Sequence, residues 1–117
     1  MAKTDKVGTH KTAIYQSDGY TCIRYHSTEV VKFNDDEIIL NSGGWQTVTT
    51  KLRMNQASYQ FGLGFYVHQR QHEWFVNYFA HGECKYIRKG RLTLTFRDGM
   101  ILERQSVETP ERINANV

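Results

Sequence analysis

The sequence predicts an α+β fold, with antiparallel β-hairpins and a meander around one central helix, in ββββ-α-ββββ order within a single domain. Three observations predict it. Short runs rich in β-branched and aromatic residues recur between Asp-Gly and Asn-Asp-Asp turn signals. One stretch, residues 46–60, lacks both strand alternation and turn residues. No internal repeat, low-complexity tract or linker divides the chain.

Taken in order, residues 12–16 and 20–25 flank Ser17-Asp18-Gly19. An Asp-Gly pair between β-formers favours the positive φ angles of a tight hairpin turn. Residues 28–33 and 37–40 flank Asn34-Asp35-Asp36, which extends the meander and makes Val31, Phe33, Ile38 and Leu40 core candidates. Asn41-Ser42-Gly43-Gly44 then breaks the strand pattern. In the helix that follows, Val48, Leu52, Ala57 and Phe61, with Met54 or Tyr59 alongside, approximate a buried stripe. The β-branched Thr47, Val48, Thr49 and Thr50 disfavour a helix interior, whereas threonine suits an N-cap, so the helix begins at Thr47 or Thr49. Gly62 and Gly64 end it.

Beyond the helix, Leu63, Phe65 and Val67 alternate with Gly64, Tyr66 and His68, as in a half-buried strand. Arg70-Gln71-His72 turns the chain into residues 73–79, where Trp74, Val76 and Tyr78 hold alternate positions. Residues 85–89 are a connection of undefined type. Leu92, Leu94 and Phe96 alternate with Arg91, Thr93, Thr95 and Arg97. Asp98-Gly99 predicts a final hairpin turn into residues 100–104. Residues 1–11 and 106–117, polar and poor in apolar side chains, are expected to be flexible ends around a domain of residues 12–105.

A chain of 117 residues buries roughly two-thirds of its unfolded surface on folding, enough for one core. Hydrophobic residues at 39% and aromatics at 13% exclude global disorder. Cys22 and Cys84 lie in different predicted strands without paired spacing, which excludes a disulfide framework or zinc module and suggests small core residues. Trp45 and Trp74 are likewise expected in the core. No apolar run reaches membrane-spanning length and the first residues lack an apolar signal, so a cytoplasmic location is expected. The formal charge is +3, but residues 51–97 hold eight Lys or Arg against two Glu. Such asymmetry favours an anionic partner, although ordinary solubility also scatters charge.

Two segments can carry chemistry. In the first, Ser42, Gly43, Gly44 and Trp45 precede Thr47, Thr49, Thr50, Lys51 and Arg53. Paired glycines let backbone approach a ligand, helix-start N–H groups attract anions, and hydroxyls with two cations can complete a phosphate cradle. The Gly-x-x-x-x-Gly-Lys-Ser/Thr order of a P-loop is absent, and a plain strand-to-helix turn with its N-cap uses the same residue types. In the second, Arg91, Thr93, Thr95 and Arg97 project from one strand face, preceded by Lys85, Arg88 and Lys89. With Tyr66, His68 and Arg70 they can form a basic, aromatic nucleic-acid surface, in competition with a solvated face that protects a sheet edge. His10, His26, His68, His72 and His81 show no metal-ligand spacing, and His72-Glu73 lacks the His-Glu-x-x-His order.

Leu40-Asn41-Ser42-Gly43-Gly44-Trp45, followed by Thr47-Val48-Thr49-Thr50-Lys51 and Arg53-Met54-Asn55-Gln56, resembles a segment of small proteins encoded by tailed bacteriophages. A Tyr-His-Ser/Thr-like segment precedes it there, as Tyr25-His26-Ser27-Thr28 does here. The resemblance spans residues 25–74, and the glycine-to-glutamine part is its specific portion. It implies a phage setting and accessory roles in the infected cell, including binding of host factors or signalling nucleotides, and brings no catalytic residue.

The reading is a phage-type accessory protein that binds a phosphate-bearing ligand, nucleic acid or nucleotide, without turnover, in the host cytoplasm. No cofactor, metal or membrane partner is expected. The alternatives are an interaction module that inhibits a host defence protein, and a small hydrolase or nuclease using His26 or His68. Homodimerisation through a sheet edge serves either binding class.

Overall fold

The computed structural model describes residues 7–79 and 91–104. The chain runs β1 (Thr12–Ser17), β2 (Tyr20–Tyr25), β3 (Thr28–Phe33), β4 (Glu37–Leu40), α1 (Val48–Phe61), β5 (Phe65–Arg70), β6 (Glu73–Phe79), β7 (Arg91–Thr95) and β8 (Met100–Glu103). This is the expected order of elements. The strands form two antiparallel sheets, β1-β2-β3-β4-β8 and β5-β6-β7.

Local turn chemistry sets most of the path. Asp18 and Gly19 take φ of 52° and 83°, as do Gln71 and His72 at 53° and 69°, so both two-residue turns follow the right-handed twist of their strands. Asn34 accepts the backbone N–H groups of Asp36 and Glu37 on its side-chain oxygen. Between β2 and β3 the register shifts, with Ile23 opposite Val31 and Arg24 opposite Glu29. Val30 is the extra residue, and both Val30 and Val31 are buried.

Alternation then fills one core. Ile23, Val31, Ile38, Leu40 and Leu102 from the larger sheet join Phe65, Val67, Trp74, Val76 and Tyr78 from the smaller, with Met54 and Ala57 from the helix. The expected Asp98-Gly99 hairpin is not formed, because β8 pairs with β4 rather than β7. Asp98 Oδ1 instead accepts from Ser42 N and Ser42 Oγ at 2.8 and 2.7 Å, and Gly99 N donates to the Leu40 carbonyl at 2.7 Å. The Asp-Gly pair reverses the chain locally, and these bonds to the end of β4 carry it across to the other sheet.

Thr47 is the N-cap, its hydroxyl accepting Thr50 N–H at 3.1 Å, and Gly62 closes the helix in the left-handed region at φ 64°. The buried face departs from the expected stripe. Met54 and Ala57 are inside, but so are Thr50, Arg53, Gln56 and Ser58, whereas Val48 is 75% exposed and Tyr59 lies outside. The reason is hydrogen bonding. Asn55 accepts Val67 N–H at 2.7 Å and donates to the Val67 carbonyl at 2.9 Å, and Ser58 Oγ makes the same pair of bonds with Phe65. The helix thus occupies the edge of β5 and satisfies backbone groups that a fourth strand would otherwise engage. On its other flank, Gln60 and Gln56 accept the N–H groups of Val7 and Gly8. Within the stretch read as a flexible end, Val7 is therefore buried and anchored.

Candidate nucleic-acid interface

Strand register gathers the outer face of the smaller sheet. Tyr66 lies opposite Asn77, which lies opposite Thr93; His68 lies opposite Phe75, which lies opposite Thr95. Arg70 pairs with Glu73 at one end and Phe79 with Arg91 at the other. The faces carrying Tyr66, His68 and Arg70 and carrying Thr93 and Thr95 therefore coincide, a point the strand patterns alone left open. Arg97 sits past the end of β7 in the turn toward β8, exposed and outside this register. Lys85, Arg88 and Lys89 fall outside the described residues.

The face is aromatic as well as basic. Tyr66 is 56% exposed. Its ring lies nearly parallel to His68, with centroids 6.1 Å apart, and His68 continues to Phe75 at 5.9 Å. The Arg70 guanidinium stands 5.4 Å over the Phe75 ring. Asn77 Oδ1 accepts from Thr93 Oγ1 and faces His68 Nε2, both at 3.1 Å, so the imidazole orientation is held. Phe75, Asn77 and Phe79 were not among the sequence candidates. The alternation that sends Trp74, Val76 and Tyr78 inward sends these three outward, so the signal was present in the same strand.

At the glycine segment the predicted convergence of cations does not occur. Gly43 N–H donates to Asn41 Oδ1 and Gly44 N–H to Ser42 Oγ, while Trp45 and Thr47 donate to the Ser42 and Trp45 carbonyls. Thr50 N–H is capped and Lys51 N–H bonds to the Thr47 carbonyl, so the loop's own acceptors engage these six donors. Thr49 is half-buried in the first turn. Lys51 Nζ reaches Gln69 Oε1 at 3.2 Å and stands 5.6 Å over the Trp74 ring. Arg53 is 7% exposed, donating to Thr12 Oγ1 and Gln56 Oε1 and standing 5.5 Å over Tyr25. Helical geometry explains the divergence of the two cations, since residues 51 and 53, two positions apart, leave the axis in roughly opposite directions.

The loop instead borders a concavity of about 440 Å³ lined by Tyr25, His26, Ser27, Thr28, Val30, Ser42, Trp45, Thr47 and Thr50. Trp45, expected in the core, is 69% exposed, whereas Trp74 is buried. Gly43 is required by sterics, because a Cβ there would lie 2.2 Å from Thr28 Oγ1 and its φ is 65°.

A protein-family model described as Kyanoviridae Gp96 protein matches residues 1–103. No curated protein and no solved structure matches the chain.

Proposed function

The chain belongs to the family described as Kyanoviridae Gp96 protein, a phage family, and from that premise we propose that it binds single-stranded nucleic acid in the infected cell without turnover. The observation that supports this reading is the outer face of β5-β6-β7, where Tyr66, His68, Phe75 and Arg70 form a contiguous aromatic and cationic surface. Exposed rings on a sheet offer flat faces to unstacked bases, and each stacked base contributes about 1–3 kcal/mol. Cations beside the rings meet the phosphates and make affinity fall with salt. A duplex keeps its bases stacked on one another, so the surface favours a single strand.

Titration of a labelled oligothymidine at low and physiological salt tests the proposal. Tyr66→Ala is expected to weaken binding roughly tenfold at every salt concentration. Arg70→Gln should lower the salt slope by about one phosphate contact. Unchanged affinity and slope in both variants would refute the assignment.

A second reading, association with another copy of the chain, is favoured by one observation. β1 is an outer edge of the five-stranded sheet, and its residues Thr-Ala-Ile-Tyr-Gln-Ser contain neither charge nor proline. Such an edge lacks the usual guards against strand addition. Native mass spectrometry should then give a dimer for the parent protein and a monomer for Ile14→Lys. A monomeric parent would remove this reading and leave the first intact.

A further inference from the structure

We propose that the concavity beside the helix entrance is a separate binding site for a neutral heteroaromatic ring of the nucleobase type, with Trp45 as its stacking face. At about 440 Å³ it falls within the roughly 300–1,000 Å³ range of small-molecule sites. Its lining is uncharged in Lys, Arg, Asp and Glu. Of the cations close in sequence, Arg24 stands over the Tyr15 ring and Lys51 reaches Gln69, while Arg53, 5.5 Å over the Tyr25 ring, is buried and donates to Thr12 and Gln56. A phosphate would find no counter-ion in this lining, so the part of the ligand recognised here is neutral.

What the lining does supply is ring faces and hydroxyls. Tyr25 and His26 meet edge to face with centroids 4.4 Å apart, and His26 and Ser27 are exposed on the turn between β2 and β3. His26 holds φ at 59°, and its N–H is bonded to the Lys11 carbonyl at 2.8 Å, so this wall is set by backbone geometry. A flat ring with hydrogen-bonding edges matches a site that offers indole and phenol surfaces beside hydroxyl and imidazole groups.

The Trp45 loop is built rather than loose. Ser42 is buried and tied to Asp98 through both its N–H and its hydroxyl, and Trp45 N–H bonds back to the Ser42 carbonyl at 3.0 Å. Close contact between Gly43 and Thr28 fixes the loop against the opposite wall. An indole held in solvent by a braced loop leaves a large apolar face uncovered, and a stacked ring would cover it without reordering the backbone. The site stands independently of the sheet face, since none of its lining residues belongs to β5, β6 or β7.

The ring can come from a free nucleoside or from a base within a strand, and one experiment separates these sources. Two-dimensional NMR of the full chain resolves the indole N–H of Trp45 from that of Trp74. Adenosine, guanosine, cytidine and thymidine, their monophosphates and short homo-oligomers are titrated in turn. At least one nucleoside or oligomer should shift the Trp45 indole and the amides of residues 25–28 while leaving Trp74 in place. Shifts with free nucleosides identify a free ligand; shifts with oligomers alone identify a base delivered by a strand.

Trp45→Ala and Ser27→Phe alter exposed side chains, and each should weaken the effect on residues 25–28 roughly tenfold with the melting temperature kept. Tyr66→Ala should leave the nucleoside response unchanged, which separates this site from the sheet face. The proposal is overturned by absence of any shift at Trp45, by binding to both pocket variants as tight as to the parent, or by affinity that rises tenfold when a phosphate is added to the nucleoside.

Discussion

Arg53 illustrates how a residue's chemistry is decided by where its side chain ends. Its guanidinium is buried and donates to Thr12 and Gln56, while Gln56 also receives the N–H of Gly8. The cation therefore joins the start of the described chain to the helix. Arg53→Met removes these bonds and should cost about 2–4 kcal/mol of stability, measured by urea unfolding. Oligonucleotide affinity of the folded variant should keep its salt slope; a reduced slope would return Arg53 to the ligand site. The sequence showed that Lys51 and Arg53 follow a glycine pair. It did not show that Thr12, forty-one positions away, receives the guanidinium. Trp45 is the converse case, an indole whose type suggests the core but whose loop is pinned outward by Ser42 and Asp98.

For whole elements, the same divergence appears in α1. Its end was legible and its start was narrowed to Thr47 or Thr49, because a threonine cap and a glycine in the left-handed region act within a few residues. Its buried face was not, because an apolar period assumes that a helix packs on side chains alone. Here it also packs on a strand edge, and Asn55 and Ser58 supply what that edge lacks. Asn55→Leu leaves the Val67 N–H and carbonyl unpaired and should destabilise by about 1–3 kcal/mol for each group. Hydrogen exchange of the Val67 amide should accelerate more than that of the β2 amides. Uniform acceleration across both sheets would show that the contact acts only through global stability. The smaller sheet was better served, since period-two alternation placed Tyr66 and His68 outward from sequence alone, and pairing then aligned Thr93 and Thr95 with them.

Across the whole molecule, tyrosine hydroxyls link the parts. Tyr78, on the smaller sheet, donates to the Glu103 carbonyl of the larger sheet at 2.8 Å. Burial pushes its phenol above the ordinary range. On the larger sheet Tyr15 donates to Glu29 and Tyr20 to Glu37, and these hydrogen bonds to carboxylates, with burial second, raise both phenols. Each group is held protonated beyond its unfolded value. Its contribution is therefore complete below pH ~10 and is lost as pH rises through the folded value. The urea midpoint should fall between neutral pH and above pH ~10, and Tyr78→Phe should lessen that fall by removing one titrating group. A midpoint that rises over this interval would contradict the sign. The Cys22 thiol, buried and pushed up chiefly by that burial, should resist alkylation until the protein unfolds.

The order of strands and helix, the Asp18-Gly19 turn and the inward sense of Phe65, Val67, Trp74, Val76 and Tyr78 were determined by sequence alone. These depend on φ preferences, capping and a period of two, all of which act between near neighbours. Tertiary structure decided that β8 joins β4, that Arg53 is interior while Trp45 is outside, and that two strands' outward residues form one face. Those outcomes depend on which distant backbone edge or polar group satisfies a given donor or acceptor. That partner is supplied by packing, and no local pattern encodes it.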